Sequence, residues 1–282
     1  MLGPSWKSYF SVTQFSLKHD RPVAFIVSQW QHDKTTPNFR YLIIRLSILI
    51  FFFVSWVFTF IGGDEFPRSA KWPIFLTNWG FTLCTLQALV AAGMLSVAVL
   101  AERLPSKSHW REKALTLYPF YWVLNGIATS VAFTVTIMYW AIIYNAEHAR
   151  FDAMNFLVHA ANSILMFVDL WLVSHPIRIL HFLYPLLLSL AYTIFTIIYF
   201  VSGGLSRDGT PYIYPILKWD NPGSTTLVCL GVMAFLLFLH LCTYFVYLLR
   251  LKIYEILFLP KMEPPKSSPK GYVNEGMAND TV

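Results

Sequence analysis

The stretch YLIIRLSILIFFFVSWVFTFIG, from Tyr41 to Gly62, decides the fold class of this 282-residue chain. A helix needs about 20 mostly apolar residues to cross a bilayer, and this run supplies them. Five similar runs follow, from about Pro73 to Leu100, Ala114 to Tyr144, Ala153 to Ser174, Ile177 to Val201 and Ser224 to Leu251. In lipid, only a helix or a closed barrel satisfies the hydrogen bonds of every backbone group. The sequence has no strand-like alternation of apolar and polar residues that would indicate a barrel. We predict an all-α polytopic membrane protein, a bundle of six transmembrane helices over residues 41–251.

The composition supports a lipid solvent. Charged residues make up 13% and hydrophobic residues 56% of the chain, and the mean hydropathy is +0.52, whereas a soluble domain carries about 25% charged residues. The net charge is +6, but the basic residues flank apolar runs, which argues against nucleic acid as a partner. Cys84, Cys229 and Cys242 all fall inside apolar runs, so we predict neither a metal site nor a disulfide framework. No motif indicates a cofactor.

The distribution of Lys and Arg predicts the orientation. Most of them lie before the first run, between the second and third, or after the sixth. Six spans put these segments on one side, and the positive-inside rule makes that side the cytosol. Both termini are therefore expected in the cytosol. Residues 1–40 contain aromatic and basic side chains that suit a membrane surface, and residues 252–282 form a tail whose polar end should be disordered.

The fourth run carries the densest set of polar side chains, within VHAANSILMFVDL: His159, Asn162, Ser163 and Asp169. Polar groups inside a membrane cost free energy and need a partner. Asn162 and Asp169 lie within about 20° of each other on a helical wheel, so one face is polar. Two interpretations stand: the face forms interhelical hydrogen bonds, or it binds a substrate, with Asn162, Ser163 and Asp169 as the contacts.

Thr77 and His159 lie at matching depth. Both are a few residues inside a run that starts on the non-cytosolic side, roughly 6–9 Å below that face. A base-activated nucleophile needs at least a hydroxyl within hydrogen-bond reach of a base such as an imidazole. If the second and fourth helices adjoin, Thr77 and His159 are the candidate catalytic pair.

Several stretches resemble the rolling stone family of insect multipass membrane proteins. They are FIVSQW at Phe25–Trp30, FLTNWGF at Phe75–Phe81, HAANSILMFVDL at His159–Leu170, HFLYP at His181–Pro185 and YIYPILKWDNPG at Tyr212–Gly223. The last block is the most specific. Its usual form reads YPxLDW, and Lys218 stands here at the acidic position. The resemblance implies a plasma-membrane protein that acts in cell fusion, in myoblasts during muscle development.

The chain is also distantly similar to the androgen-induced family of membrane lipid hydrolases. In that family an intramembrane Thr and His cleave fatty acid esters of hydroxy fatty acids. The Thr lies in an FLT-type stretch, which Thr77 matches, and the His precedes an acidic residue by ten positions, as His159 precedes Asp169. The similarity implies a Thr nucleophile, a His base and a lipid ester as substrate.

Three classes of function compete. The first is a fusion protein at the plasma membrane, with an internal membrane as the alternative location. The second is a Thr/His lipid hydrolase, and whether the chain is an enzyme stays open. The third is a transporter or channel, and the sequence shows no repeat, no pair of broken helices and too few charges to line a pathway. Membrane lipids are the expected partners, and the sequence identifies no protein partner.

Overall fold

A computed structural model describes residues 11–61, 69–104, 109–144 and 153–258. These residues form helices joined by turns, and their one bridge pairs Ser28 with Val173. The helices are α1 (Phe39–Ile61), α2 (Leu76–Arg103), α3 (His109–Leu115), α4 (Tyr118–Met138), α5 (Ala153–Phe156), α6 (Asn162–Leu172), α7 (Leu183–Val201) and α8 (Pro222–Phe258). The all-α fold class is confirmed for the described part of the chain.

Five of the described helical stretches are long and apolar enough to cross a membrane. They are Phe39–Phe60, Leu76–Arg103, Tyr118–Ile143, Ile179–Val201 and Pro222–Phe258. The fourth predicted run instead contains a shorter apolar helix, Leu157–Leu172. The multipass membrane architecture is therefore confirmed, and the count of six spans stays a prediction.

Two π-helical turns interrupt the regular helices. One extends α4 over Tyr139–Ile143, and the other, Leu157–Ala161, joins α5 to α6. A π turn adds a residue to one helical turn, so it rotates the side chains that follow it, and such turns occur often at functional sites. His159 lies within the second of these turns.

Small residues let α2 lie against its neighbours. Ala88 of α2 and Ala128 and Ala132 of α4 are buried in one core cluster. A Cβ atom on Gly80 would lie 3.0 Å from Cγ1 of Val131, so the two helices approach closely there. Close backbone approach is the usual way to gain packing energy in lipid, where apolar side chains gain little from association alone.

A buried polar network links four helices. Asp169 of α6 forms an ion pair with Arg45 of α1. Its carboxylate also accepts hydrogen bonds from Nε2 of Gln87 at 3.1 Å and from Nδ2 of Asn125 at 2.9 Å. The Arg45 guanidinium further donates to the hydroxyl of Tyr121 at 3.1 Å. The structure therefore supplies a partner for both charged groups.

The described part of the N-terminal segment packs on the end of the bundle. Phe25, Ile26 and Val27 are buried, and Phe25 and Ile26 lie in a core cluster with residues of α1, α2 and α4. Nε1 of Trp30 donates to the Trp171 carbonyl at 2.7 Å. The Arg178 guanidinium donates to two carbonyls of the same segment. The placement of this segment at a membrane surface stays a prediction, and the tail from residue 259 lies outside the described residues.

Candidate functional site

A cavity of about 510 Å³ lies between helices at the end of the bundle where α2 begins. Its walls come from the starts of α2 and α8, the end of α4, the helix around His159, α7 and the loop of residues 202–221. Thr77 and His159 both line it. The volume is in the range of small-molecule sites, and mostly apolar walls with a few polar groups are typical of them.

Backbone contacts fix Thr77 in the first turn of α2. The segment before the helix is held from two sides. Nδ2 of Asn78 donates to the Trp72 carbonyl at 2.7 Å, and the hydroxyl of Tyr192 donates to the Ile74 carbonyl at 2.8 Å. The Thr77 side chain itself is partly buried. It can therefore meet a molecule in the cavity from a rigid position.

Tyr214, in the loop between α7 and α8, lies beside Thr77. Burial raises the pKa of the Tyr214 phenol, and hydrogen bonds with the side chain and backbone of Thr77 act in the opposite direction. The Tyr214 ring also packs edge-on against Phe75, with ring centroids 5.9 Å apart. Sequence reasoning did not assign Tyr214 to the site. The available signal was its place in the block Tyr212–Gly223.

His159 stacks face to face on Tyr139, with ring centroids 3.5 Å apart and planes 3° apart. Each ring comes from one of the two π turns, so these turns create the contact. Nε1 of Trp140 donates to the His159 carbonyl at 3.0 Å. Within the described part of the chain, Nδ1 of His159 has no hydrogen-bond partner. The stacking and the backbone contact therefore hold the imidazole in place at the cavity wall.

The structure brings Thr77 and His159 to one cavity without pairing them directly. Among the described side chains, no hydrogen bond joins the Thr77 hydroxyl to the His159 ring. Catalytic hydrogen bonds are often long in an empty site and shorten around the substrate. Thr77 and His159 therefore share a cavity, and the direct contact that a nucleophile needs with its base has to form when a substrate binds.

The three residues predicted to bind substrate lie elsewhere. Asn162, Ser163 and Asp169 are buried, and none of them lines the cavity. Oγ of Ser163 donates to the Ala132 carbonyl at 2.8 Å, and Oδ1 of Asn162 accepts from Oγ1 of Thr136 at 3.2 Å. All three take part in helix–helix contacts. Their substrate-binding role stays a prediction, since none of the three side chains lines the cavity.

The fold and the site define a class: a helical multipass membrane protein with a partly polar cavity between its helices. Among the described residues, no group of three or more His, Cys, Asp or Glu could hold a metal ion. The family model of the protein rolling stone matches residues 3–262. The chain therefore belongs to the rolling stone family.

A curated relative agrees with this assignment. The chain is 31% identical over 225 residues to Protein rolling stone of Drosophila melanogaster. The alignment covers 77% of this chain and 80% of the fly protein. No solved structure matches the chain significantly.

Proposed function

We propose that the protein is a six-span plasma-membrane protein, with both termini in the cytosol, that acts in the fusion of myoblasts. The observation that carries this proposal is the family match over residues 3–262. The resemblance to rolling stone proteins implies the fusion role. Within the described residues, five long apolar helices and a shorter sixth one support the topology, and so does the clustering of Lys and Arg in the segments that six spans put on one side.

Labelling of introduced cysteines tests the topology. Asp208 lies exposed in the loop between α7 and α8, which the proposal puts outside the cell, and Ser268 lies in the cytosolic tail. An impermeant maleimide should label Asp208→Cys on intact cells and Ser268→Cys only after permeabilisation. The wild-type protein, measured in parallel, shows how much label its three native cysteines take up. Labelling of Ser268→Cys on intact cells would overturn the orientation.

Genetic removal tests the role in fusion. Deletion of the gene in cultured myoblasts of the source organism should lower the fraction of nuclei in multinucleate cells. Wild-type protein should restore fusion, and a variant that reaches the surface but lacks the buried ion pair should restore less. Myoblasts that fuse normally without the protein would contradict the proposal.

A second candidate function is intramembrane hydrolysis of a lipid ester. It is favoured by one observation, the presence of Thr77 and His159 in the same cavity. In this reaction His159 takes the proton of the Thr77 hydroxyl as its oxygen attacks the ester carbonyl. The proton then passes to the departing alcohol. Water, activated by the same imidazole, releases the acid from Thr77 and restores the hydroxyl.

Turnover of defined esters tests the second candidate. The purified full-length protein in nanodiscs should hydrolyse at least one member of a panel of fatty acid esters of hydroxy fatty acids. It should also react with a fluorophosphonate at Thr77. Thr85→Val is a matched control, because Thr85 lies in the same helix, away from the cavity, and bonds to the Phe81 carbonyl. Full activity of Thr77→Ala would exclude this mechanism.

A further inference from the structure

An apolar groove lies beside the cavity, on the lipid-facing surface. It has a volume of about 480 Å³ and lies between the end of α4 and the first half of α8. Met138, Ile216 and Val232 line both the cavity and the groove. These three side chains therefore form a common wall, and a molecule that occupies both spaces has to displace them.

The groove faces the hydrocarbon of the membrane. Ile137 and Ile142 on its α4 side are 43% and 53% exposed. Leu230, next to the groove on α8, is 56% exposed. Both helices are among those long and apolar enough to span, so lipid is the solvent at this surface. A ligand of the groove can therefore arrive from within the bilayer.

Polarity divides the combined space into two ends. Every side chain that lines the groove is apolar, and a polar group buried there without a hydrogen-bond partner would cost free energy. The inner end is lined by Thr77, His159 and Tyr214, whose side chains carry a hydroxyl, an imidazole and a phenol. This arrangement fits a molecule with one hydrogen-bonding group and one long hydrocarbon chain.

We propose that an ester-linked membrane lipid enters laterally between α4 and α8. Its acyl chain lies in the groove, and its ester group lies between Thr77 and His159. The proposal rests on the membrane-spanning arrangement and the cavity site of the proposed function. It adds the route of entry and the residues that hold the chain, and it requires only binding, not hydrolysis.

Gly231 makes the groove testable. It lies exposed on the groove side of α8, and a Cβ atom built on it would meet no atom within 4 Å. Gly231→Trp therefore adds a bulky side chain on the groove side of α8, with no clash at its Cβ atom. Gly93→Trp is a matched control, because Gly93 is an exposed helical glycine of α2 with equally open space and lies outside both cavities. Ala141→Trp adds a bulky side chain to the groove from the α4 side. It gives a second test of the groove if Gly231→Trp does not fold.

The experiment uses the full-length protein in phosphatidylcholine nanodiscs with a monoacylglycerol ester of a photoreactive palmitate. Illumination should label the α4 and α8 peptides around residues 137–142 and 228–235. Labelling should fall about tenfold in Gly231→Trp and Ala141→Trp, because the acyl chain loses its apolar contacts. Gly93→Trp should label like wild type. Scattered labelling, or labelling indifferent to both groove variants, would overturn the proposal.

The outcomes separate this proposal from the hydrolase. Groove labelling without turnover of any ester leaves the lipid site standing and removes the hydrolase. Ester turnover that is unaffected by Gly231→Trp and Ala141→Trp leaves the hydrolase standing and removes the proposed lipid groove. If wild type is a dimer and Gly231→Trp is a monomer, a second copy of the chain occupies the groove, and the lipid proposal is wrong.

Discussion

Arg45 of α1 is ion-paired with Asp169 of α6, and both side chains are buried inside the bundle. An unpaired charge in a spanning helix is costly, so each group stabilises the other in its place. Oδ2 of Asp169 also accepts hydrogen bonds from Gln87 and Asn125. The pair therefore fixes α1 against α6, and Gln87 and Asn125 join α2 and α4 to the same carboxylate.

Asp169→Asn should destabilise the protein by about 3–5 kcal/mol, because it leaves the Arg45 guanidinium buried without a counter-charge. The double variant Arg45→Met, Asp169→Leu should recover most of this loss, since it removes both charges. Thermal unfolding of the purified variants in nanodiscs measures both effects. Asp208→Asn, in an exposed loop, is the control. A double variant as unstable as the single one would contradict the explanation.

The sequence predicted the class of fold well because apolar runs are a local property. Arg45 and Asp169 both lie inside predicted spans, where a charge needs a partner, but the sequence analysis did not predict their pairing. The partner assignment required knowing which helices adjoin, and a single sequence does not contain that information. Asn162 and Ser163 illustrate the same gap: their polarity was visible, but their helix–helix contacts depend on where α4 packs.

Part of the candidate site was also predictable. Matching depth selected Thr77 and His159, and both line one cavity. The stacking of His159 on Tyr139 was not predictable, because it arises from two π turns that depart from regular helical periodicity. Tyr214 lies beside Thr77 because of the conformation of a loop. Loops have no periodic sequence pattern, so this contact could not be predicted.

A drop in pH should loosen the N-terminal segment. The His175 ring, between α6 and α7, stacks on Phe25 with centroids 4.9 Å apart. Burial lowers the pKa of His175 well below its ordinary value, and Arg250, Arg45 and His19 lower it further, against a hydrogen bond to the Pro176 carbonyl. The packed state therefore favours the neutral ring, and its stability should fall as the pH drops below about 6.5.

Hydrogen exchange of residues 24–27 measures this effect. Protection should be constant at neutral pH and above and should decrease on acidification. His175→Phe keeps the ring stacking and should remove much of the pH dependence, although His19, whose pKa is also lowered by burial, keeps a share. Equal protection at neutral and acidic pH in wild type would contradict the prediction.

Gly204→Ala should disturb the loop that covers the cavity. A Cβ atom there would lie 2.5 Å from Cε1 of Tyr199. The Tyr199 hydroxyl donates to the Leu205 carbonyl at 2.8 Å and accepts from Nζ of Lys71 at 2.9 Å. Displacement of the ring breaks both bonds and should cost about 1–3 kcal/mol. Thermal unfolding should find Gly223→Ala milder, because its nearest neighbour would be 4.0 Å away.

Variants of Thr77 and His159 distinguish catalysis from a structural role. If the chain is an esterase, Thr77→Ala and His159→Ala should each abolish turnover, because the hydroxyl needs a neighbouring base to become a nucleophile. The double variant should be no worse than either single one, as expected for residues that act as a unit.

If His159 only joins helices, its loss should lower stability by about 0.6–2 kcal/mol, while Thr77→Ala changes almost nothing. Ester hydrolysis and thermal unfolding, measured on the same four proteins, separate the two patterns. Turnover at the wild-type rate in Thr77→Ala would end the hydrolase interpretation and leave the fusion role and the lipid groove to be judged on their own tests.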